Sequence, residues 1–151
     1  MSLKSLRKQE GFTLLELLIV IVIIAILALL IIPNITSAPK KARDTQRKTD
    51  ITTLRKGLEE YFVNNNSYPA ALTDLQAGSA PIVKTIPVDP KKGNPSQYVY
   101  SYSPSGSPAT SYTLGACLEN DQDNGANVGS PTATGAPSGC DTKSFVLTNA
   151  N

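Results

Sequence analysis

Few side chains in this 151-residue sequence can do chemistry, and they are unevenly placed. Glu16 stands directly before residues 17–32, sixteen positions with neither a charge nor a hydrogen-bonding side chain. A carboxylate at the edge of such a segment is costly unless paired, which marks it as a functional position. Glu119, Asp121, Asp123 and Asn124 form a second group, hard oxygen donors of the type that holds Ca²⁺. Their Gly is out of register with the EF-hand pattern and the closing Glu is missing, so a solvated acidic turn is the other reading. Cys117 and Cys140 are the only cysteines, both far beyond the apolar run. Outside the cytoplasm such a pair reads as a disulfide, the alternative being two buried thiols. With no His, no Gly-rich phosphate loop, no Cys-x-x-Cys and no paired carboxylates, an enzyme is not expected, nor any cofactor beyond the weak calcium candidate.

The elements that must position these residues follow from composition. Ten of the fourteen Lys and Arg lie before residue 57, and from residue 65 onward four Lys face six acids. The net charge of +2 is therefore no basic footprint over a fold, and no nucleic-acid site is expected. Lys4, Arg7 and Lys8 precede an apolar run longer than the roughly 7–15 residues of a secretory signal. The small residues Thr36, Ser37 and Ala38 are followed by Pro39, a poor place to cut. The run approaches the roughly 20 residues of a spanning helix. Five positive charges follow it, in residues 40–48, against three before it, so charge alone favours the opposite topology or none.

The segment GFTLLELLIVIVIIAILALLIIP, residues 11–33, resembles the N-terminus of type IV prepilins and type II secretion pseudopilins. The pattern is a short basic leader ending in Gly11, the aromatic Phe12, Glu16 four residues on, and an unbroken apolar stretch. The resemblance implies cleavage by a prepilin peptidase after Gly11 on the cytoplasmic face and methylation of the new amine of Phe12. That fixes residues 1–11 as a leader inside and overrules the charge count. Phe12 and Glu16 stand at i, i+4 on one helix face. In a polymer, Glu16 of one subunit would then meet the Phe12 amine of its neighbour, a register device more than a source of net stability. The alternative is that Glu16 snorkels to headgroups. Major pseudopilins carry calcium near the position of residues 119–124, which the resemblance extends to this chain as an expectation.

Helical spacing continues past the apolar run through Ile51, Leu54, Leu58, Tyr61 and Phe62, with charges on the other faces. A helix over residues 12–64 would be roughly 80 Å long, ending at Asn64, Asn65 and Asn66. Residues 12–33 make its membrane and polymerisation half, and residues 34–64 its amphipathic half. Pro33 removes a helical hydrogen bond and should kink the helix, and Pro39 adds a second weak point. The resemblance implies local melting there on assembly. The basic residues 40–48 read as a solvated helix face with Asp44 and Asp50 as partners, or as a surface for anionic headgroups or DNA.

Residues 65–151 should form a head. A short helix over 70–75 would have Pro69 at its first position. Ile86, Pro87, Val88, Asp89 and Pro90 resemble the helix-to-sheet loop of pilins and major pseudopilins. Strands are expected over 97–103, 111–118 and 144–147, with a hairpin loop at 104–110. Tyr98, Tyr100 and Tyr102 share one side, either an aromatic binding platform or a sheet face packed on the helix. The fold class is α+β, a long helix on about three antiparallel strands, the pilin fold. A disulfide would close the low-complexity loop 117–140.

Three functions fit. The first is a type IV pilin polymerised into a surface filament for adhesion, twitching motility or DNA uptake. The second is a pseudopilin of type II secretion or competence building a short fibre. The third, an anchored binding module, ignores the Gly11, Phe12 and Glu16 pattern. The expected partners are further copies of the chain, minor pilins, the peptidase, an inner-membrane assembly platform driven by cytoplasmic ATPases, and the membrane itself while monomeric. Loops 103–111 and 119–139 are expected to face outward.

Overall fold

The computed structural model describes residues 11–91 and 99–149. The chain divides at residues 37 and 38 into two units. One helix, α1 (Leu14–Asn65), contributes to both. Helical backbone runs through Pro33 and Pro39 without interruption. The helix begins two residues later than the expected 12 and ends one residue later than 64. Thr13 and Glu16 fix the start, as shown below. Asn66 fixes the end: it takes the left-handed conformation at φ 54, and its N–H donates to the Phe62 carbonyl at 2.8 Å.

In the second unit the helix from residue 38 packs on a four-stranded antiparallel sheet. Strands β1 (Ser101–Gly106), β2 (Ala109–Leu118), β3 (Val128–Gly129) and β4 (Lys143–Thr148) lie in the order β1-β2-β4-β3. β2 is the central plank, pairing Tyr102 with Leu114 on one side and Leu114 with Leu147 on the other. Its alternation buries Tyr112, Leu114, Ala116 and Leu118 against Ile51, Leu54 and Leu58 of α1. Phe145 and Leu147 of β4 and Tyr68 and Leu75 complete the core. The helical stripe and the period-two strand are thus two halves of one apolar layer.

The tyrosines resolve in favour of sheet packing. The Tyr100 hydroxyl donates to Asp50 at 2.6 Å, and the Tyr102 hydroxyl to the Pro69 carbonyl at 2.8 Å. Burial, reinforced by the Asp50 carboxylate, pushes the Tyr100 phenol up. Tyr98, with the start of the expected strand 97–103, lies outside the described residues. The expected helix at 70–75 is instead a 3-10 turn at Leu72–Gln76, and Pro69 is not its first residue. The Ala71 N–H donates to the Asp74 carboxylate at 3.0 Å, which sets the later start, and Leu75 anchors the turn in the core.

Two features of the long loop differ from expectation. It contains β3, whose Val128 pairs with Phe145. Rather than facing outward throughout, its second half lies on the outer face of the sheet. The Gly135 carbonyl accepts from the Ser101 hydroxyl at 2.5 Å. A Cβ on Gly115 would collide with that carbonyl, and one on Gly135, at φ 88, would stand 2.8 Å from the Thr113 Cβ. The Ser and Gly content that reads as low complexity is what lets two backbones approach. Cys117 and Cys140 are joined as a disulfide, pinning this loop to β2. Loop 103–111 is likewise mostly strand, a tight hairpin from β1 into β2.

The core layer makes an asymmetric demand on neighbouring positions. Leu54→Ala should lower unfolding stability by about 2–5 kcal/mol, whereas Thr53→Ala on the exposed face should stay within about 0.5 kcal/mol. Urea unfolding of the detergent-solubilised chain reads both.

Candidate functional site

Among the described residues two arrangements of functional side chains stand out, one in each unit. In the first, Gly11 and Phe12 precede the helix in the open, Phe12 being 90% exposed. Glu16 makes a reciprocal cap with Thr13. Its Oε2 accepts from the Thr13 N–H at 3.0 Å and from the Thr13 hydroxyl at 2.8 Å, and its own N–H donates to that hydroxyl at 3.2 Å. Thr-x-x-Glu is the capping-box spacing, which satisfies helix N-terminal donors that would otherwise lack partners. The sequence contained this signal at residues 13–16, and the expectations for Glu16 passed over it. Phe12 lies two residues ahead of the helix, so the i, i+4 helix face expected for Phe12 and Glu16 is not formed in the single chain.

Behind the cap the helix is apolar on every side. Leu14, Leu15, Leu17, Leu18, Ile21, Ile24 and the other large apolar side chains through Leu29 are exposed within the chain. A helix apolar all round requires an apolar surrounding rather than water. Among the described residues no helix is long and apolar enough to cross a membrane.

In the second unit the expected solvated face at 40–48 holds only in part: Lys40 and Lys41 are exposed and Asp44 pairs with Arg47 at i, i+3, but that pair is not solvated. Arg47 is fully buried, and Asp44 and Asp50 are buried with it. The reason is geometric: 44, 47, 51, 54 and 58 lie on one helical stripe, so Arg47 and Asp44 extend the core face toward the helix start. The Arg47 guanidinium grips Asp89 through Nε at 2.6 Å and Nη2 at 3.0 Å. Its Nη1 reaches Asp44 at 2.7 Å and Glu119 at 2.8 Å. Arg43 adds a fork on Glu119, 2.7 Å to each oxygen, and Lys91 reaches Glu119 at 2.8 Å. Asp44 in turn accepts the backbone N–H of Glu119 at 2.9 Å and of Asn120 at 2.8 Å. Asp89 accepts the Lys91 N–H at 2.8 Å.

Three cations and three carboxylates from three chain segments thus meet around one guanidinium. Planar bidentate geometry suits Arg to this task where Lys would supply only a point charge. Hydrogen bonding from Arg43, and further from Lys91 and Arg47, holds the Glu119 carboxyl well below its ordinary range despite burial. Among the described residues every buried side-chain nitrogen and oxygen is satisfied. The cluster fastens the helix to the loop at 89–91 and to the exit of β2. Sequence reasoning missed Arg43, Asp44, Arg47, Asp89 and Lys91 as a group. The usable signal was an Arg and an Asp lying on the apolar stripe.

The calcium candidates do not converge. Glu119 is engaged by Arg43, Arg47 and Lys91, Asp123 by Lys48 at 2.6 Å, and Asn124 by Lys143 at 2.6 Å, while Asp121 is exposed. Among the described residues no three His, Cys, Asp or Glu side chains stand close enough to hold a metal ion. A Ca²⁺ site needs six to eight oxygens directed at one point, and these residues do not fit it.

Comparison with known proteins bears on the first arrangement and on the whole chain. Residues 6–32 match the prokaryotic N-terminal methylation motif. The chain is 35% identical over 138 residues to the type II secretion system core protein G of Pseudomonas aeruginosa, spanning 82% of this chain and 95% of that protein. It is 39% identical over 105 residues to the core protein G of Aeromonas hydrophila, 60% of this chain and 73% of the relative. It is also 44% identical over 86 residues to the type IV wide pilus major component PilA4 of Thermus thermophilus, 55% of this chain and 66% of that one.

The charge cluster makes two quantitative demands. Arg47→Met takes the guanidinium from buried Asp44 and Asp89, leaving them backbone N–H donors, and leaves Glu119 to Arg43 and Lys91; it should cost about 3–5 kcal/mol in urea unfolding. Because the folded Glu119 carboxyl is held below its ordinary value of 4.5, its contribution is complete above that pH and is lost as the medium becomes more acidic. Thermal midpoints of the parent chain should therefore fall steeply below pH 4.5, and Glu119→Gln should start lower and fall less over the same interval.

Proposed function

The chain belongs to the family of type IV pilins and type II secretion pseudopilins, and from that premise we propose that it is a pseudopilin, a structural rather than catalytic subunit of a short secretion-type fibre. The observation that carries this is similarity to a core protein G over 95% of that relative, head included. The shorter stretch shared with the Thermus wide pilus component supports the second reading, a surface pilus subunit.

The mechanism is structural. Prepilin peptidase removes residues 1–11 and the Phe12 amine is methylated. The monomer waits in the membrane with its head outside. Sixteen uncharged residues fall short of the roughly 20 a bilayer core requires. Residues 12–33 make up the difference with Glu16 at the edge of the bilayer core, where it can reach the headgroups; on assembly the Phe12 amine of a neighbouring copy becomes its counter-charge. The Thr13 cap holds the Glu16 carboxylate at the helix start, where such a partner would have to reach it. Lifted by an inner-membrane platform, residues 14–32 exchange lipid for the apolar sides of neighbouring helices. Pro33 and Pro39 are where that helix would melt under the exchange.

Two outcomes are expected. The N-terminal peptide of the native protein should begin at methylated Phe12 and be found in washed membranes, not in sheared surface material. Abundant methylated Phe12 in sheared filaments would favour the surface pilus, and an intact Met1 leader in both fractions would contradict processing. Glu16→Leu should still insert in the membrane but fail to form fibres, as seen by electron microscopy after overexpression.

A further inference from the structure

The loop that leaves β2 is where the resemblance to major pseudopilins leads one to expect a divalent cation, and where the residues present do not fit one. Its Glu119, Asp123 and Asn124 oxygens already meet cations of the chain itself, while Asp121 is exposed. Asp123 Oδ2 accepts from the Lys48 ammonium at 2.6 Å, and Asp123 Oδ1 accepts the Gly125 N–H at 3.0 Å. Lys48 follows Arg47 on α1, and its ammonium also lies 5.7 Å from the Phe145 ring centroid, over a core residue of β4. A Cβ on Gly125 would stand 3.5 Å from the same ammonium, so the loop backbone is packed against it. On the far side, the Lys143 ammonium at the start of β4 donates to Asn124 Oδ1 at 2.6 Å. Glu119 at the loop entrance is closed by Arg43, Arg47 and Lys91.

We infer that Lys48 and Lys143 supply from within the chain the positive charge that closes the 119–125 loop onto the head, so that this loop is ordered without a divalent ion. Both lysines leave regular elements, α1 and β4, and place their ammonium groups 2.6 Å from Asp123 and Asn124 of the loop. A four-carbon stem delivers that charge as a compact point with three donors. An ammonium cannot gather six to eight oxygens as Ca²⁺ does. The oxygens are accordingly spread over separate cations instead of directed at one point. Lys48 holds the Asp123 carboxyl below its ordinary range, with the Gly125 N–H contributing. The Lys48–Asp123 pair is partly exposed, so loop closure should weaken with salt and ignore chelators. The inference stands on the loop's own contacts and holds for either type of fibre.

The test is backbone hydrogen exchange, read by mass spectrometry on the full chain in detergent, with EDTA or with millimolar calcium chloride. In the parent chain, exchange over residues 119–125 should be the same in both. Lys48→Met should speed exchange there about fivefold, while Lys48→Arg and the strands β2 and β4 stay near parental rates. Slowing of parental loop exchange by calcium would overturn the inference, since an ion would then be completing the site. Unchanged loop exchange in Lys48→Met would overturn it too. Should Lys48→Met fail to fold, the calcium comparison on the parent chain still decides, and Lys143→Met, which removes an exposed contact, replaces it.

Discussion

The guanidinium of Arg47 has no route to water, and the head is arranged to satisfy it where it lies. An ionised group out of water is tolerated only when charge and hydrogen bonds are both matched. Asp89 takes one edge of the guanidinium, Asp44 and Glu119 the other, and each carboxylate is in turn tied to backbone or to a further cation. Those obligations draw three distant segments to one place: the helix at 43–47, the loop at 89–91 and the exit of β2. The cluster therefore specifies where the loops go, while Ile51, Leu54, Leu58 and β2 supply the burial that makes the head stable.

The same constraint acts differently at the N-terminus. Thr13 answers Glu16 within the chain, and the large apolar side chains behind it, from Leu14 to Leu29, are exposed. Where the head resolves its charges internally, the N-terminal helix leaves a carboxylate and a continuous apolar surface for other molecules. A subunit that must live first in lipid and then among copies of itself needs a surface that serves both without refolding, and an all-apolar helix does so.

Much of this was legible in the residues. The helix was visible in its apolar run and in the spacing of Ile51, Leu54 and Leu58, and β2 in the alternation of Tyr112, Leu114, Ala116 and Leu118. The pairing of Cys117 with Cys140 followed from compartment and count. Arg47 was misread because a charge run on a helix is usually solvated, and the surface it faces is made by residues 42 and 72 positions away. Its place on the stripe of Ile51 and Leu54 was the overlooked local signal. β3 escaped because two residues carry no periodicity. The inward-lying loop escaped because Ser and Gly read as linker chemistry until the facing backbone of Gly115 is in view. Among the relatives, the core protein G likeness extends through the head and the Thermus likeness covers less, which moves the weight from a surface pilus to a secretion fibre.

If the chain polymerises as proposed, the whole circumference of the N-terminal helix becomes a contact between copies. A photoreactive benzoylphenylalanine placed in turn at Leu18, Ile21 and Ile23, which point around the helix, tests it most directly. In cells assembling the fibre, all three positions should cross-link to a second copy of the chain, and in cells lacking the assembly platform to lipid alone. Cross-links to another copy from one position only, with the other two still reaching lipid in the assembled state, would contradict the account.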